Sequence, residues 1–195
     1  MSENSNVKLF TDIDICSKEA DYVMELIKKS FPNECVIMIE KINNPILKER
    51  YENCVKELKM LRGENKVKEV QLFHGTDRKS VENIAQNGFM CKYSKVNAYG
   101  KGTYFAKNYS YSRNYSIQKS TSSKIKLFDN YDTFIIAKVI LGVPTITAGG
   151  QVTNTEQFDY SCDNIKNPTI FSIPYDDAAY PEYAVVFYSQ AEKYY

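Results

Sequence analysis

The apolar residues of this chain change their period part-way along it, and that change constrains the fold more than any other feature. Early on they recur at helical spacing. Ala20, Val23, Met24, Ile27 and Phe31 fall on one face of a helix expected over residues 18–31, with Ser17 placed to cap it. Asn44 and Pro45 form a cap followed by a first-turn proline. Leu47, Tyr51, Cys54, Val55, Leu58 and Leu61 then make a second helical stripe, which Gly63 ends. Between the two helices CVIMIEKI, residues 35–42, reads as a strand. Another strand is expected at 70–73, then a short helix carrying Val81, Ile84 and Ala85 with Gly88 at its C-terminal end. From residue 131 onward strands dominate: FIIAKVIL at 134–141, TIFSI at 169–173 and YAVVFY at 183–188. Helices first and strands afterwards give an α+β class, not the βαβα alternation of a doubly wound sheet.

The 195 residues suffice for one domain with a sizeable core. No linker or internal repeat divides them, so a single domain over 1–195 is expected, with 1–16 as an N-terminal extension. Lys and Arg number 25 against 24 Asp and Glu, and a net charge of +1 carries no global pull toward nucleic acid or anionic membrane. The dense charges of 48–69 are mixed in sign and read as a solvated helix face. The five cysteines are odd in number and form no CxxC pair, and there is one histidine, so neither a disulfide framework nor a metal site is expected. The first residues, MSENSNVKLF, lack an apolar signal core. The greasiest run, 134–143, is too short to span a bilayer and contains Lys138. A cytoplasmic or nuclear protein without membrane association is expected. The Ser-, Tyr- and Asn-rich stretch 108–124 reads as a surface loop over 117–124.

Two short features carry chemistry. His74, the single histidine, follows an apolar strand and precedes Gly75 and Thr76. Alone it reads as a structural histidine, but Gly75 leaves room for a ligand to reach the backbone, and strand ends that become loops are where sites sit. The second feature is Tyr99-Gly100-Lys101-Gly102-Thr103-Tyr104-Phe105-Ala106. It is neither a dinucleotide GxGxxG, because Phe105 stands at the third glycine, nor a P-loop, because Lys95 and Gly102 stand where Gly and Ser/Thr are needed. Alone it reads as a glycine turn.

Taken together, HGT, then GKGTYFA with Tyr104 thirty residues beyond His74, then Ser112 and Tyr115, resemble the catalytic domain of the poly(ADP-ribose) polymerase family, nearest its mono-ADP-ribosyltransferase branch. LFHGTDRKSVENIAQNGF, AYGKGTYFAKNYSYS, FIIAKVILG and NPTIFSIPYDDAAYPEYAVVF follow one another as successive family blocks, and the match is clearest over 45–190. The resemblance implies an ADP-ribosyltransferase fold, with a mostly antiparallel split β-sheet and flanking helices. It implies NAD⁺ as co-substrate, no metal, and ADP-ribose transfer to a protein or other acceptor, the enzyme itself included, with release of nicotinamide.

Carried over residue by residue, the resemblance makes His74 a hydrogen-bonding anchor for NAD⁺. Gly75 would offer backbone groups to the carboxamide and Ser112 a hydroxyl. Tyr104 and Tyr115 would sandwich the nicotinamide ring, while Thr76, Phe105 and Ala106 complete the cofactor-binding set. Tyr93 would stand near the adenine. Nicotinamide leaves as a neutral ring from a cationic one and needs no general acid, so holding the dinucleotide in a reactive shape can supply the catalysis.

The third catalytic position separates polymer from monomer, because polymerases place a glutamate there. In one register Pro181-Glu182-Tyr183 makes that residue Glu182. In the other TIF at 169–171 is the matching strand and the residue is Ile170. The second is favoured, since the mono-transferases carry an apolar-F-x-x-x-x-D block followed by AYPEY, and both stand here. An isoleucine cannot accept a proton or hold a hydroxyl. The expected catalytic set is therefore His74, Tyr104 and Ile170, and the expected activity is single transfer. Pro174 predicts that the TIFSI strand stops there or lies at an edge. The resemblance leaves three rivals: an inert NAD⁺- or ADP-ribose-binding module, an NAD⁺ glycohydrolase, and a polymerase using Glu182. No helical autoregulatory domain, zinc finger or macro domain is expected, nor regulation by DNA breaks.

Overall fold

The computed structural model describes residues 8–29, 35–94, 98–109, 131–146 and 157–188. In chain order these form β1 (Phe10–Asp12), α1 (Lys18–Lys28), β2 (Cys35–Ile42), α2 (Pro45–Arg62), β3 (Lys68–Thr76), α3 (Arg78–Asn87), β4 (Thr103–Ala106), β5 (Tyr131–Leu141), β6 (Pro144–Thr145), β7 (Tyr160–Cys162), β8 (Ile170–Ile173) and β9 (Ala179–Tyr188). The α+β class expected from the change of period is the class observed.

The helices begin where the capping residues stand. The Ser17 hydroxyl accepts the Ala20 N–H, and Asn44 accepts that of Leu47 ahead of Pro45. Asp77 does the same for Ser80 at the head of α3. Gly63 and Gly88 end α2 and α3 at φ 90° and 82°, a conformation that costs glycine little. Of the helix expected over 18–31, Lys18–Lys28 is helical and Lys29 closes its last turn by donating to Glu25, while Phe31 lies outside the described residues.

The strands of the described residues lie in one sheet, in the order β1-β2-β9-β5-β3-β4-β8-β7-β6, antiparallel throughout except for β6 on β7. The pairing is uneven. β3 pairs with β5 at every residue of its length, but with β4 at one place, Phe73 opposite Ala106. Next to that bridge Lys107 donates its N–H to Thr169, so the chain leaving β4 follows β8 and turns away from β3. The sheet is thus two half-sheets joined at one rung. This is the split antiparallel sheet expected from the resemblance.

Each face of the sheet has its own core. One holds Leu47, Tyr51 and Val55 of α2 and Val81 and Ala85 of α3 against Leu72, Phe105, Ile135 and Phe171. The other holds Ala20, Val23 and Ile27 of α1 against Phe73, Phe134, Tyr183 and Phe187, with Tyr109 among them. Tyr109 lies 4.4 Å, centroid to centroid, from Phe134 and edge-on at 5.0 Å to Phe187. β8 ends immediately before Pro174, as a residue without an N–H requires. β9 starts earlier than the apolar run suggests and carries Pro181 where its register with β5 shifts, a bulge that tolerates the missing donor. No helix of the described residues is long and apolar enough to cross a membrane.

The second half-sheet is tied to α2 by charge. Arg62 binds the Asp159 carboxylate through Nε (3.2 Å) and Nη2 (3.0 Å), with only 16% and 6% of the two side chains exposed. The same carboxylate accepts the Val143 N–H at 2.6 Å, and a side chain on Gly142 would collide with it. Removing one partner strands a buried charge, so Arg62→Leu is expected to lower the free energy of urea unfolding by about 3 kcal/mol. The Arg50–Asp177 pair, 47% and 42% exposed, is the control: its loss is expected to cost under about 1 kcal/mol.

Candidate active site

β3 runs out of the half-sheet junction at His74. Its Nδ1 lies 2.8 Å from the carbonyl oxygen of Tyr104. A carbonyl only accepts, so Nδ1 carries the hydrogen and Nε2 keeps its lone pair. The imidazole meets Phe89 edge-on at 5.2 Å and Phe105 at 5.6 Å. Burial against these rings pulls its pKa below the ordinary imidazole value, and the bond to Tyr104 opposes this only in part. The result is a neutral imidazole, fixed in orientation, with an acceptor nitrogen.

That imidazole stands in a cleft of about 770 Å³, with Thr76 and Thr103 beside it. One wall is α3, which contributes Ser80, Asn83 and Asn87. Both ends of α3 are anchored. Arg78 at its head forks onto Glu40 of β2, with Nη2 to Oε1 at 3.1 Å and Nη1 on Oε2. Asn44, while capping α2 with its Oδ1, donates from Nδ2 to the Ala85 and Gln86 carbonyls at 3.0 and 3.1 Å. The opposite wall is the single 3₁₀ turn Cys91–Tyr93. It is held by the Cys91 N–H, which donates to Asp176 at 2.7 Å, and by its thiol on the Ile173 carbonyl. Tyr93, expected near an adenine, lines this wall and is 78% exposed, with Lys92 Nζ 5.1 Å from its ring centre.

The glycines of the GKG segment do two jobs. Gly100 takes φ 89° at the turn. A Cβ on Gly102 would stand 2.7 Å from both the Ile173 carbonyl oxygen and Ser172 Oγ, so this position needs the close approach only glycine allows. Tyr104 then folds back on the turn: its hydroxyl donates to Gly100 O at 2.8 Å and accepts the Tyr99 N–H at 3.0 Å. The polar tip of Tyr104 is engaged by its own loop.

His74, Tyr104 and Ile170 lie on three neighbouring strands, β3, β4 and β8. Ile170 is opposite Ala106, which is opposite Phe73, so one row crosses the junction beside the imidazole. Ile170 is buried, and its N–H donates to Asp163 Oδ1 at 3.0 Å. Asp163 also accepts from the Thr169 N–H at 2.8 Å. Partial burial would raise the Asp163 pKa, but these hydrogen bonds outweigh it and hold the carboxyl below its usual range. Glu182 is elsewhere. It sits on β9, with β5 between it and β3, and bonds Gln71 at 2.9 Å and Lys138 at 3.3 Å. Gln71 is three residues, about 10 Å, down the strand from His74.

Of the remaining expected residues, Thr76 lines the cleft, and Gly75 lies on β3 opposite Phe134. Phe105 and Ala106 are each 1% exposed; Phe105 forms the floor beneath His74 with Phe89, 5.0 Å away. Ser112 and Tyr115 lie outside the described residues. Sequence reading missed Asp163 and the polar row Ser80, Asn83, Asn87. The row was detectable, because three- and four-residue spacing puts these residues on one helix face. Asp163 carried no local signal. Among the described residues no three of His, Cys, Asp or Glu gather as a metal-ligand set.

Residues 17–172 match the family described as poly(ADP-ribose) polymerase catalytic domain. Among curated proteins, the human protein mono-ADP-ribosyltransferase PARP14 is 32% identical over 159 residues, 76% of this chain and 8% of that protein. The mouse protein mono-ADP-ribosyltransferase PARP12 is 30% identical over 195 residues, 94% and 26% respectively. The mouse protein mono-ADP-ribosyltransferase PARP11 is 28% identical over 192 residues, 87% and 57%. The chain spans less than two thirds of each of these relatives.

The depressed pKa has a checkable sign. The folded imidazole binds a proton less readily than the unfolded one, so acid favours unfolding. This contribution is complete above about pH 6.5 and is lost as pH falls below it toward the native value. The chain has a single histidine, so its NMR resonances are unambiguous. They are expected to titrate below about pH 6.5 and to report the Nδ1–H tautomer at neutral pH.

Proposed function

The chain belongs to the poly(ADP-ribose) polymerase catalytic-domain family, and on that premise we propose that it is a mono-ADP-ribosyltransferase, moving one ADP-ribose from NAD⁺ to an acceptor protein, itself included. The observation that carries this reading is the bond from His74 to the Tyr104 carbonyl. It joins the two motif residues across the half-sheet junction and aims a neutral acceptor nitrogen into a cleft walled by polar side chains. A ribose hydroxyl can donate to Nε2 there. The cleft suits an extended dinucleotide: about 770 Å³, with amides and hydroxyls from α3 on one side and an exposed tyrosine on the other.

In this reading His74 orients NAD⁺, Thr76 and the Gly75 backbone border the nicotinamide end, and the Tyr104 ring packs on it. The Tyr104 hydroxyl is held by the glycine turn, which sets the plane of that ring. Ile170 is the third residue of the set. It supplies no base, so the acceptor must bring its own nucleophile, as a carboxylate can. Asp163 holds the Ile170 backbone and thereby positions that edge. Glu182, paired with Lys138 and Gln71 away from His74, serves the sheet. The roles of Ser112 and Tyr115 as further nicotinamide contacts remain part of the proposal.

Incubation with labelled NAD⁺, followed by a denaturing gel, tests the assignment. Wild type is expected to give one discrete labelled band. His74→Ala should lower labelling about tenfold to a hundredfold, the scale of a lost buried hydrogen bond, with circular dichroism confirming the fold. Glu182→Ala should label as wild type does. A high-molecular-weight smear lost in Glu182→Ala would make the protein a polymerase. Binding of NAD⁺ with neither label nor nicotinamide release would make it a binding module, and nicotinamide release without label a glycohydrolase.

A further inference from the structure

The divergence of β3 from β4 opens the sheet in two directions. On the His74 side of the Phe73–Ala106 rung lies the cleft. On the other side, between residues 68–72 of β3 and the loops around β7 and β8, lies a second groove of about 750 Å³. Four lysines line it: Lys66, Lys68, Lys107 and Lys166. All four are exposed, none makes an ion pair among the described residues, and no carboxylate lines the groove. Asp159, next to its Gly142–Val143 margin, is already taken by Arg62. In a chain of net charge +1, this is a local concentration of unanswered positive charge.

The groove also has a strand edge. Among the described residues, 68–72 pair with β5 on one side only, because β4 meets β3 at Phe73 and nowhere below it. Their outward N–H and C=O groups face the groove at strand spacing. Beneath them Leu72, Tyr160 and Phe171 form an apolar floor, each no more than 8% exposed.

We infer that this groove accepts an extended, acidic segment of a partner protein, added to the sheet as a strand beside β3. An added peptide strand matches a row of open N–H and C=O groups at strand spacing. Five residues of edge run about 17 Å, enough for a short strand. In such a strand alternate side chains face opposite ways, so small apolar residues meet the floor while the others meet the lysine rim. The lysines set the charge of that rim and favour Asp and Glu. Nucleic acid fits the groove less well, because Tyr160 and Phe171 are buried and offer no face for a base to stack on. The inference uses none of the residues of the cleft and does not depend on the transferase reading.

Fluorescence anisotropy with the full chain tests it. The probe is a labelled short peptide alternating glutamate with valine. It is compared with the same peptide N-methylated at every residue, and with a thymidine oligonucleotide of equal charge. Saturable binding of the unmodified peptide is expected, weakening as salt is raised. Charge reversal in Lys66→Glu/Lys166→Glu should weaken it about tenfold. Both lysines are exposed, so the variant should unfold at the wild-type urea midpoint. The N-methylated peptide should fail to bind. Equal binding of the N-methylated peptide or of the oligonucleotide would reduce the groove to a bare cation patch and overturn the inference. So would the absence of saturable peptide binding, or binding untouched by the double reversal; the lysines would then only guard an open edge against aggregation.

Discussion

One rung of hydrogen bonding governs the layout of this molecule. β3 is fully paired on its β5 side, yet among the described residues its backbone meets the second half-sheet only at Phe73 opposite Ala106. A complete ladder there would close the sheet and leave no opening for either the cleft or the lysine-lined groove. The His74–Tyr104 bond is the side-chain supplement to that rung, since it ties the imidazole of one half-sheet to a backbone carbonyl of the other. The Arg62–Asp159 pair holds the second half-sheet from behind, through α2.

The site that results is sparing with charge. Its one imidazole is kept neutral by burial between aromatic rings, and Ile170, buried on the row that crosses the junction, adds no charge. The carboxylates nearby are spent on backbone: Asp163 on Thr169 and Ile170, Asp176 on Cys91. Their work is to hold the cleft's margins still. This suits the proposed transfer, in which the leaving group already carries the positive charge and shape and orientation matter more than proton transfer. It also gives a physical meaning to the aspartate of the block that follows the Ile170 strand, since Asp176 pins the turn that carries Tyr93.

How far the sequence revealed this follows the range of each interaction. Short-range signals were readable: Ser17, Asn44 and the two helix-ending glycines stand where expected, and the strand at 35–42 has the bounds read from its residues. β3 is longer than the apolar core at 70–73, because Lys68 and Glu69 at one end and His74 to Thr76 at the other are held by pairing with β5, not by their own preference. β9 begins at Ala179 for the same reason, with a bulge absorbing Pro181. At the site, motif spacing pointed to His74, Tyr104 and Ile170, which the sheet places on three neighbouring strands. Asp163 and the anchors of α3 were invisible, because each joins groups brought together only by the finished sheet. The GKG segment forms a turn whose carbonyl holds the Tyr104 hydroxyl, a contact its glycines alone do not announce.

Asn44 carries one more consequence. Its amide accepts from α2 and donates to the end of α3, the helix that walls the cleft. Aspartate, an equally good cap, could do the first and not the second. Hydrolysis of that amide with age would therefore turn a shared clasp into a carboxylate facing two carbonyls. The usual route to such damage begins when the next residue's backbone nitrogen attacks the side chain. Here the next residue is Pro45, whose nitrogen has no hydrogen to give up. The proline that starts α2 thus also shields from chemical decay the amide on which the cleft wall hangs.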